Sequence, residues 1–380
     1  MQRFYLPTEI ITGRGCLSQL GQVAARFGQR AMAVSYSGFA QFSDVLSRAL
    51  DTLRAANLQV TVYDKVTGEA ELRVVEAGIA LARQEGCQVL IGIGGGSSID
   101  TAKAIAGLVN LPGSVWDYHG GRKLEGPGLP FISVPTTAGT GAEVTKNAVL
   151  IDPRTDVKKS IRDDAWFARV ALVDPEATLS MPPQVTASTG ADALCQAIES
   201  FTSIAATSIT DALAMQAVEL TGRNLLRAYS AGDDLAAREA MSMGSLMAGM
   251  AMVNARLGGV HGMAHPLGSH FHIPHGVICG LLLPYTMEYN LPYTTAKYAE
   301  VARLLGESIQ SLDVETAARR AVERVRELVA QVGIPAHMGQ FGVTEESFAQ
   351  IAQESQSESL RHNPRPLGTE DVLAIMRAAL

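Results

Sequence analysis

Short β-branched or apolar runs alternate with helical patterns through the first half of the chain, and this alternation constrains the fold more than any other feature. The runs are Ala31–Val34, Gln59–Tyr63, Val89–Ile93, Phe131–Val134 and Val170–Val173, with helical spacing between several of them, as in Phe42–Ala56 and Leu72–Gln84. Strand-then-helix order predicts βαβ units on a largely parallel sheet. After Pro182-Pro183 the strand signals fade. Thr186–Thr202, Thr210–Tyr229, Leu235–Asn254, Thr295–Leu305, Val314–Val332, Glu345–Glu354 and Glu370–Leu380 then read as helices. A proline pair continues neither element, so the boundary is expected there: an α/β domain over residues 1–181 and an all-helical domain over residues 182–380.

The composition supplies material for two cores, since 47% of the 380 residues are hydrophobic and only 18% charged, which excludes a disordered chain. A formal net charge of -7 offers no basic field for a polyphosphate, so no nucleic-acid partner is expected. The most apolar window, Met241–Val253, falls short of the roughly 20 residues that span a bilayer. It reads as a core helix. The first residues, MQRFYLPTEIITGRG, lack a signal core, so a cytoplasmic protein without membrane partners is expected. Cys16, Cys87, Cys195 and Cys279 are scattered without a CxxC pair, which fits neither a disulfide framework nor a thiolate zinc site. Most of them are expected to be inert small hydrophobes.

Two turns carry binding chemistry. The apolar run VLIGI enters Gly94-Gly95-Gly96-Ser97-Ser98-Ile99-Asp100, and Thr101-Ala102-Lys103 then opens a helix. Glycines let backbone N–H groups approach a phosphate, and a helix N-terminus adds unpaired donors. The spacing is neither GxGxxG nor a P-loop, and a plain strand-to-helix turn would need fewer glycines. A second Gly/Thr-rich turn, Pro135-Thr136-Thr137-Ala138-Gly139-Thr140-Gly141-Ala142-Glu143-Val144-Thr145, also follows a strand. Together the two suggest a dinucleotide at strand C-termini.

Five of the eight histidines crowd together as His261, His265, His270, His272 and His275. A lone histidine is ordinarily a hydrogen-bonded core or surface residue, whereas five in one window point to a metal or proton-transfer site. His261 and His265 stand one helical turn apart. Pro266 and Pro274 are expected to break the chain, so that His275 returns from a neighbouring element. Asp192 and Gln196 are likewise i,i+4 in an apolar stripe, where a carboxylate wants a cation or, alternatively, caps a first helical turn.

At these residues the sequence resembles the iron-containing (group III) alcohol dehydrogenases along nearly its whole length. The resemblance rests on Gly94–Lys103, Pro135–Thr145, Val173–Pro175, Met181–Glu199, His261–Gly276 and Asn363-Pro364-Arg365, and much of it is especially similar to the lactaldehyde and propanediol oxidoreductases. It implies a Rossmann-like dinucleotide-binding domain, a helical domain, and a cleft between them where a metal polarises an alcohol or aldehyde oxygen for hydride transfer. It also implies a homodimer. Carried over, the metal ligands are Asp192, Gln196, His261 and His275, and His265 is the near-site histidine that relays protons. Cofactor contacts are expected from Tyr36, Gly94, Gly95, Gly96, Ser97, Ser98, Asp100, Lys103, Thr136, Thr137, Thr140, Thr145 and Leu179.

The chain departs from the family pattern in three places. The second ligand is Gln196 rather than His, a neutral and weaker oxygen donor. This leaves Fe²⁺ or Zn²⁺ in a weakened or retuned site, or a metal-independent reductase of the maleylacetate reductase type, or a non-catalytic cofactor-binding relative. Val34-Ser35-Tyr36-Ser37 lacks the acidic residue that selects NAD, so NADP(H) is allowed too, with Tyr36 against adenine and the serines on ribose or phosphate. Ser359 stands where members often carry Cys, and Arg361, His362 or His270 is a candidate partner for an acidic substrate tail. The expected reaction is NAD(P)-dependent interconversion of a small primary alcohol and its aldehyde.

Overall fold

In the computed structural model, residues 3–380 are described, and they divide into two compact units. One comprises residues 6–137 and 142–181; the other comprises residues 3–5, 138–141 and 182–380. The division falls at Met181/Pro182, with two short segments from the N-terminal part of the chain joining the helical unit. Pro182 caps the next helix and Pro183 opens it, as fits a residue without a backbone N–H.

The first unit is built from β1 (Glu9–Thr12), α1 (Leu20–Ala25), β2 (Arg30–Tyr36), α2 (Val45–Ala55), β3 (Gln59–Val66), α3 (Leu72–Gln84), β4 (Val89–Gly94), α4 (Gly96–Leu108), α5 (Val115–His119), β5 (Phe131–Pro135), β6 (Asn147–Asp152), β7 (Val157–Arg162) and β8 (Val170–Val173). Six strands form one sheet in the order β1-β8-β5-β4-β2-β3, and every pairing in it is parallel. Every residue of β4, β5 and β8 is buried, as a parallel sheet covered on both faces requires. Two features were not expected from the sequence. β1 pairs with β8 at the sheet edge, and β6–β7 is a separate antiparallel hairpin.

The helical unit contains α6 (Pro183–Thr202), α7 (Ser208–Ser230), α8 (Leu235–Ala255), α9 (Gly259–Phe271), α10 (His275–Leu304), α11 (Val314–Gln331), α12 (Glu345–Glu354), α13 (Glu358–Arg361) and α14 (Thr369–Ala378). α6 is its centre: it packs against α7, α8 and α10, and every residue from Gly190 to Thr202 is buried. Polar side chains on α6 are therefore held away from water. Pro266 lies inside α9 instead of breaking it, while Pro274 caps the start of α10. The helix expected over Thr295–Leu305 is the far part of α10, beyond a kink at Thr294.

Candidate metal centre and cofactor turn

Three helices bring the metal-site residues together. α6 contributes Asp192, Cys195, Gln196 and Glu199 within two turns; α9 contributes His261 and His265; the first turns of α10 contribute His275 and Cys279. The approach of α10 to α6 depends on Gly276, where a Cβ would lie only 2.0 Å from the Ser188 carbonyl oxygen. Only glycine lets the two backbones come this close, and the contact sets the neighbouring His275 beside Asp192.

Asp192 Oδ1 lies 3.3 Å from His261 Nε2 and 3.7 Å from His275 Nε2, yet it receives no directed hydrogen bond. Asp192 Oδ2 accepts from Gln196 Nε2 at 3.0 Å, while Gln196 Oε1 is buried without a partner. Behind His261, its Nδ1 lies 2.6 Å from Glu199 Oε2, and Glu199 Oε1 accepts from the Val260 amide at 2.7 Å. A carboxylate on Nδ1 fixes the ring and leaves Nε2 to face the site, the pairing commonly seen behind metal-bound histidines. The His265 ring is half-buried, with its centroid 5.6 Å from that of His275.

Two of the four cysteines belong to this cluster. Cys279 Sγ lies 3.6 Å from His275 Nε2 and 3.9 Å from His261 Nε2, and Cys195 Sγ lies 3.9 Å from His261 Nδ1. Sequence reasoning missed Cys279 and Glu199. Spacing carried a signal for both, since Cys279 is i+4 from His275 and Glu199 is i+7 from Asp192, each on the face of its helix that a functional residue already marks. Cys16 and Cys87 fit the expectation; burial pushes the Cys16 thiol up to about 12 and raises that of Cys87.

Negative charge gathers around the two imidazoles. Burial works to raise the Asp192 carboxyl, but the His261 and His275 imidazoles hold it below its ordinary range. Burial likewise opposes protonation of His261 and His275, and the Cys279, Glu199 and Asp192 charges outweigh it, raising both. Of the two neighbouring thiols, Cys279 is the one lowered, by Cys195 and the two histidines against the penalty of burial. An orphaned buried carboxylate oxygen among two imidazoles and a thiol is a donor set that suits a divalent metal.

The remaining histidines stand apart. His270 Nε2 lies 2.8 Å from the Glu354 carboxylate, so it is a poor partner for an anionic substrate tail, and His272 is exposed at the end of α9. The His362 ring is taken up by the Glu358 carbonyl at 2.7 Å. The Asn-Pro-Arg segment fastens the frame: Asn363 Oδ1 accepts from the Gly259 amide, Asn363 exchanges hydrogen bonds with Asn290, and Arg365 lies over Tyr289.

In the sheet unit, Gly94 ends β4 at φ +147°, where an added Cβ would meet Ser98, and Gly95 precedes α4 with no side chain capping it. The uncapped first turn leaves donors for an anion. The Thr136 amide bonds Gly94 O at 2.9 Å, joining the second turn to the first. Three expected cofactor residues, Asp100, Lys103 and Thr145, have partners within the unit. Lys103 Nζ donates to Ala142 O, Thr145 Oγ1 and Asn147 O and pairs with Asp100, whose Oδ2 accepts from the Val149 amide. This buried network fastens the second turn and β6 onto α4. Thr140 belongs with the helical unit, in the segment where Gly139 and Gly141 pack against Thr189 and Gly249. Tyr36, Ser37 and Leu179 are exposed, while Ser35 is buried in β2.

Comparison with known proteins agrees with both units. The iron-containing alcohol dehydrogenase family matches residues 7–175, and the Fe-containing alcohol dehydrogenase family, C-terminal, matches residues 186–380. The chain belongs to the iron-containing alcohol dehydrogenase family, and it is an oxidoreductase of the alcohol dehydrogenase class. It is 34% identical to the NAD-dependent methanol dehydrogenase of Bacillus methanolicus, over 100% of both chains. It is 39% identical to long-chain-alcohol dehydrogenase 1 of Geobacillus thermodenitrificans, over 99% of this chain and 96% of the other. A crystal structure of 1,3-propanediol oxidoreductase superposes with a TM-score of 0.96 at 36% identity, covering 100% of each chain. No helix among the described residues is long and apolar enough to cross a membrane.

Proposed function

We propose that the chain interconverts a primary alcohol and its aldehyde with a nicotinamide cofactor, with a divalent metal held by Asp192, His261 and His275. The observation that carries this reading is the buried Asp192 Oδ1, which accepts no directed hydrogen bond and faces the Nε2 atoms of both histidines. The metal, when bound, supplies a Lewis acid that stabilises charge developing on the substrate oxygen, and the nicotinamide supplies or accepts the hydride.

The chain's own residues prepare that chemistry. Glu199 holds His261 in the tautomer that frees Nε2, and Gln196 orients the Asp192 carboxylate by donating to Oδ2. His265, half-buried beside His275, exchanges a proton between its imidazole nitrogen and the substrate oxygen. The Gly94–Ser98 turn and Thr136/Thr137 receive the cofactor diphosphate through backbone amides and hydroxyls, with Tyr36, Ser37 and Leu179 available to its other parts. No acidic residue follows β2, which supports use of NADP(H) alongside NAD(H). The homodimer and the cytoplasmic location rest on family resemblance and sequence.

The test is steady-state oxidation of primary alcohols from methanol to long-chain members, with NAD⁺ and NADP⁺, before and after chelation and re-addition of Zn²⁺ or Fe²⁺. Turnover lost on chelation and restored by metal is expected. Full turnover in the chelated enzyme would sink the metal-assisted reading and leave a metal-independent reductase. Cofactor binding without turnover on any substrate would leave a non-catalytic relative.

A further inference from the structure

We infer that Cys279 is a protein ligand of the metal alongside Asp192, His261 and His275. This rests on the reading of the site as a metal centre. One donor atom from each of Asp192, His261, His275 and Cys279 lies within 4.8 Å of every other. The individual separations are more telling. Donors that share one metal at ordinary zinc distances lie roughly 3.3–3.6 Å from one another, and the substrate oxygen would enter such a shell as a fifth ligand. Here Asp192 Oδ1 is 3.3 Å from His261 Nε2 and 3.7 Å from His275 Nε2, and Cys279 Sγ is 3.6 Å from His275 Nε2 and 3.9 Å from His261 Nε2. The oxygen and the sulfur each thus lie near coordination spacing from both imidazole nitrogens, and all four atoms fall within one 4.8 Å cluster.

Gln196 braces the carboxylate through its amide nitrogen. Its Nε2 donates to Asp192 Oδ2, while both histidines approach the other oxygen, Oδ1, which is left for the cation. Cys195 lies beside Nδ1 of His261, the nitrogen already engaged by Glu199, and so sits behind the ligand shell. The local helix geometry favours Cys279, because a residue four positions after His275 returns to the same face one turn further along α10. A thiolate in the shell favours zinc over the harder divalent ions.

The experiment uses the full chain, stripped with chelator under reductant and reloaded without oxygen. Cobalt(II) reports a sulfur ligand as thiolate-to-metal charge-transfer absorption in the near ultraviolet, and zinc X-ray absorption reports it as a scatterer at about 2.3 Å. The band is expected in wild type, Gln196→Ala and Cys195→Ser, and is expected to vanish in Cys279→Ser. Zn²⁺ affinity of Cys279→Ser, measured by chelator competition, should fall by at least the roughly 10–100-fold that loss of an outer-shell partner costs. Should Cys279→Ser fail to fold, zinc X-ray absorption of wild type and Cys195→Ser decides between one sulfur and none.

Bound cobalt without the band, with only nitrogen and oxygen around zinc, would overturn the assignment of Cys279 and leave the metal centre standing. A band that survives Cys279→Ser but not Cys195→Ser would overturn it in favour of the other thiol. A wild type that binds neither ion would overturn the metal centre and this inference together.

Discussion

Glu199 and Glu143 are both buried carboxylates, and their surroundings give them opposite consequences. Glu199 has partners on both oxygens, and Glu199→Gln keeps an acceptor for the Val260 amide while weakening the hold on His261 Nδ1. Zinc affinity by calorimetric titration should fall about 10–100-fold; an unchanged affinity would show that the carboxylate does not tune His261. Glu143, in the turn after Gly141, is raised by burial from its ordinary 4.5 to about 7, with Lys103 only partly offsetting this. Between those values the folded state keeps a proton that the unfolded state has released, so stability falls as pH rises through that window and levels off above it. At 1.36 kcal/mol per unit the loss is about 3 kcal/mol. Urea unfolding near pH 5 and near pH 8 should show this decline in wild type and much less of it in Glu143→Gln. Equal declines would place its cause elsewhere.

Among the elements, two glycines do separable work. Gly276 lets the start of α10 reach the Ser188 carbonyl on α6, and Gly276→Ala should cost about 1–3 kcal/mol through overpacking and weaken zinc binding by moving His275 and Cys279. Gly94 holds a positive φ before α4, and Gly94→Ala should weaken NAD⁺ binding while leaving zinc affinity near wild type. Fluorescence titration with NAD⁺ and chelator competition for zinc measure the pair. Both variants losing the same ligand would refute this separation. Four core strands, β2, β4, β5 and β8, were legible as short apolar runs because a parallel sheet buries both faces of its inner strands, and the edge strand β3 was legible by its β-branched residues. β1, only half covered, and β7, with Lys158, Lys159 and Ser160 in its middle, gave no such run and were missed. Pro266 misled for a related reason: proline normally interrupts a helix, yet α9 continues around it.

At the scale of the whole molecule, the metal and the cofactor have their expected residues in different compact units. A ligand at about a hundredfold excess over its Kd stabilises the fold that holds it by about 2.7 kcal/mol. Hydrogen exchange should therefore show zinc protecting α6, α9 and the start of α10, and NAD⁺ protecting α4 and the turn after β5. Zinc protection centred on the sheet unit would contradict the proposed ligand set. The sequence by itself determined the α/β-then-helical order, the glycine turn, and the presence of Asp192, His261 and His275, because helical and strand periodicities and glycine chemistry are local properties. It also put Gln196 beside Asp192, one turn along α6. Only the tertiary structure decided which neighbours meet. Cys279 faces the histidines, Lys103 turns inward, and His270 pairs with Glu354 because close backbone approach between helices and burial in the core set distances that spacing along the chain does not encode.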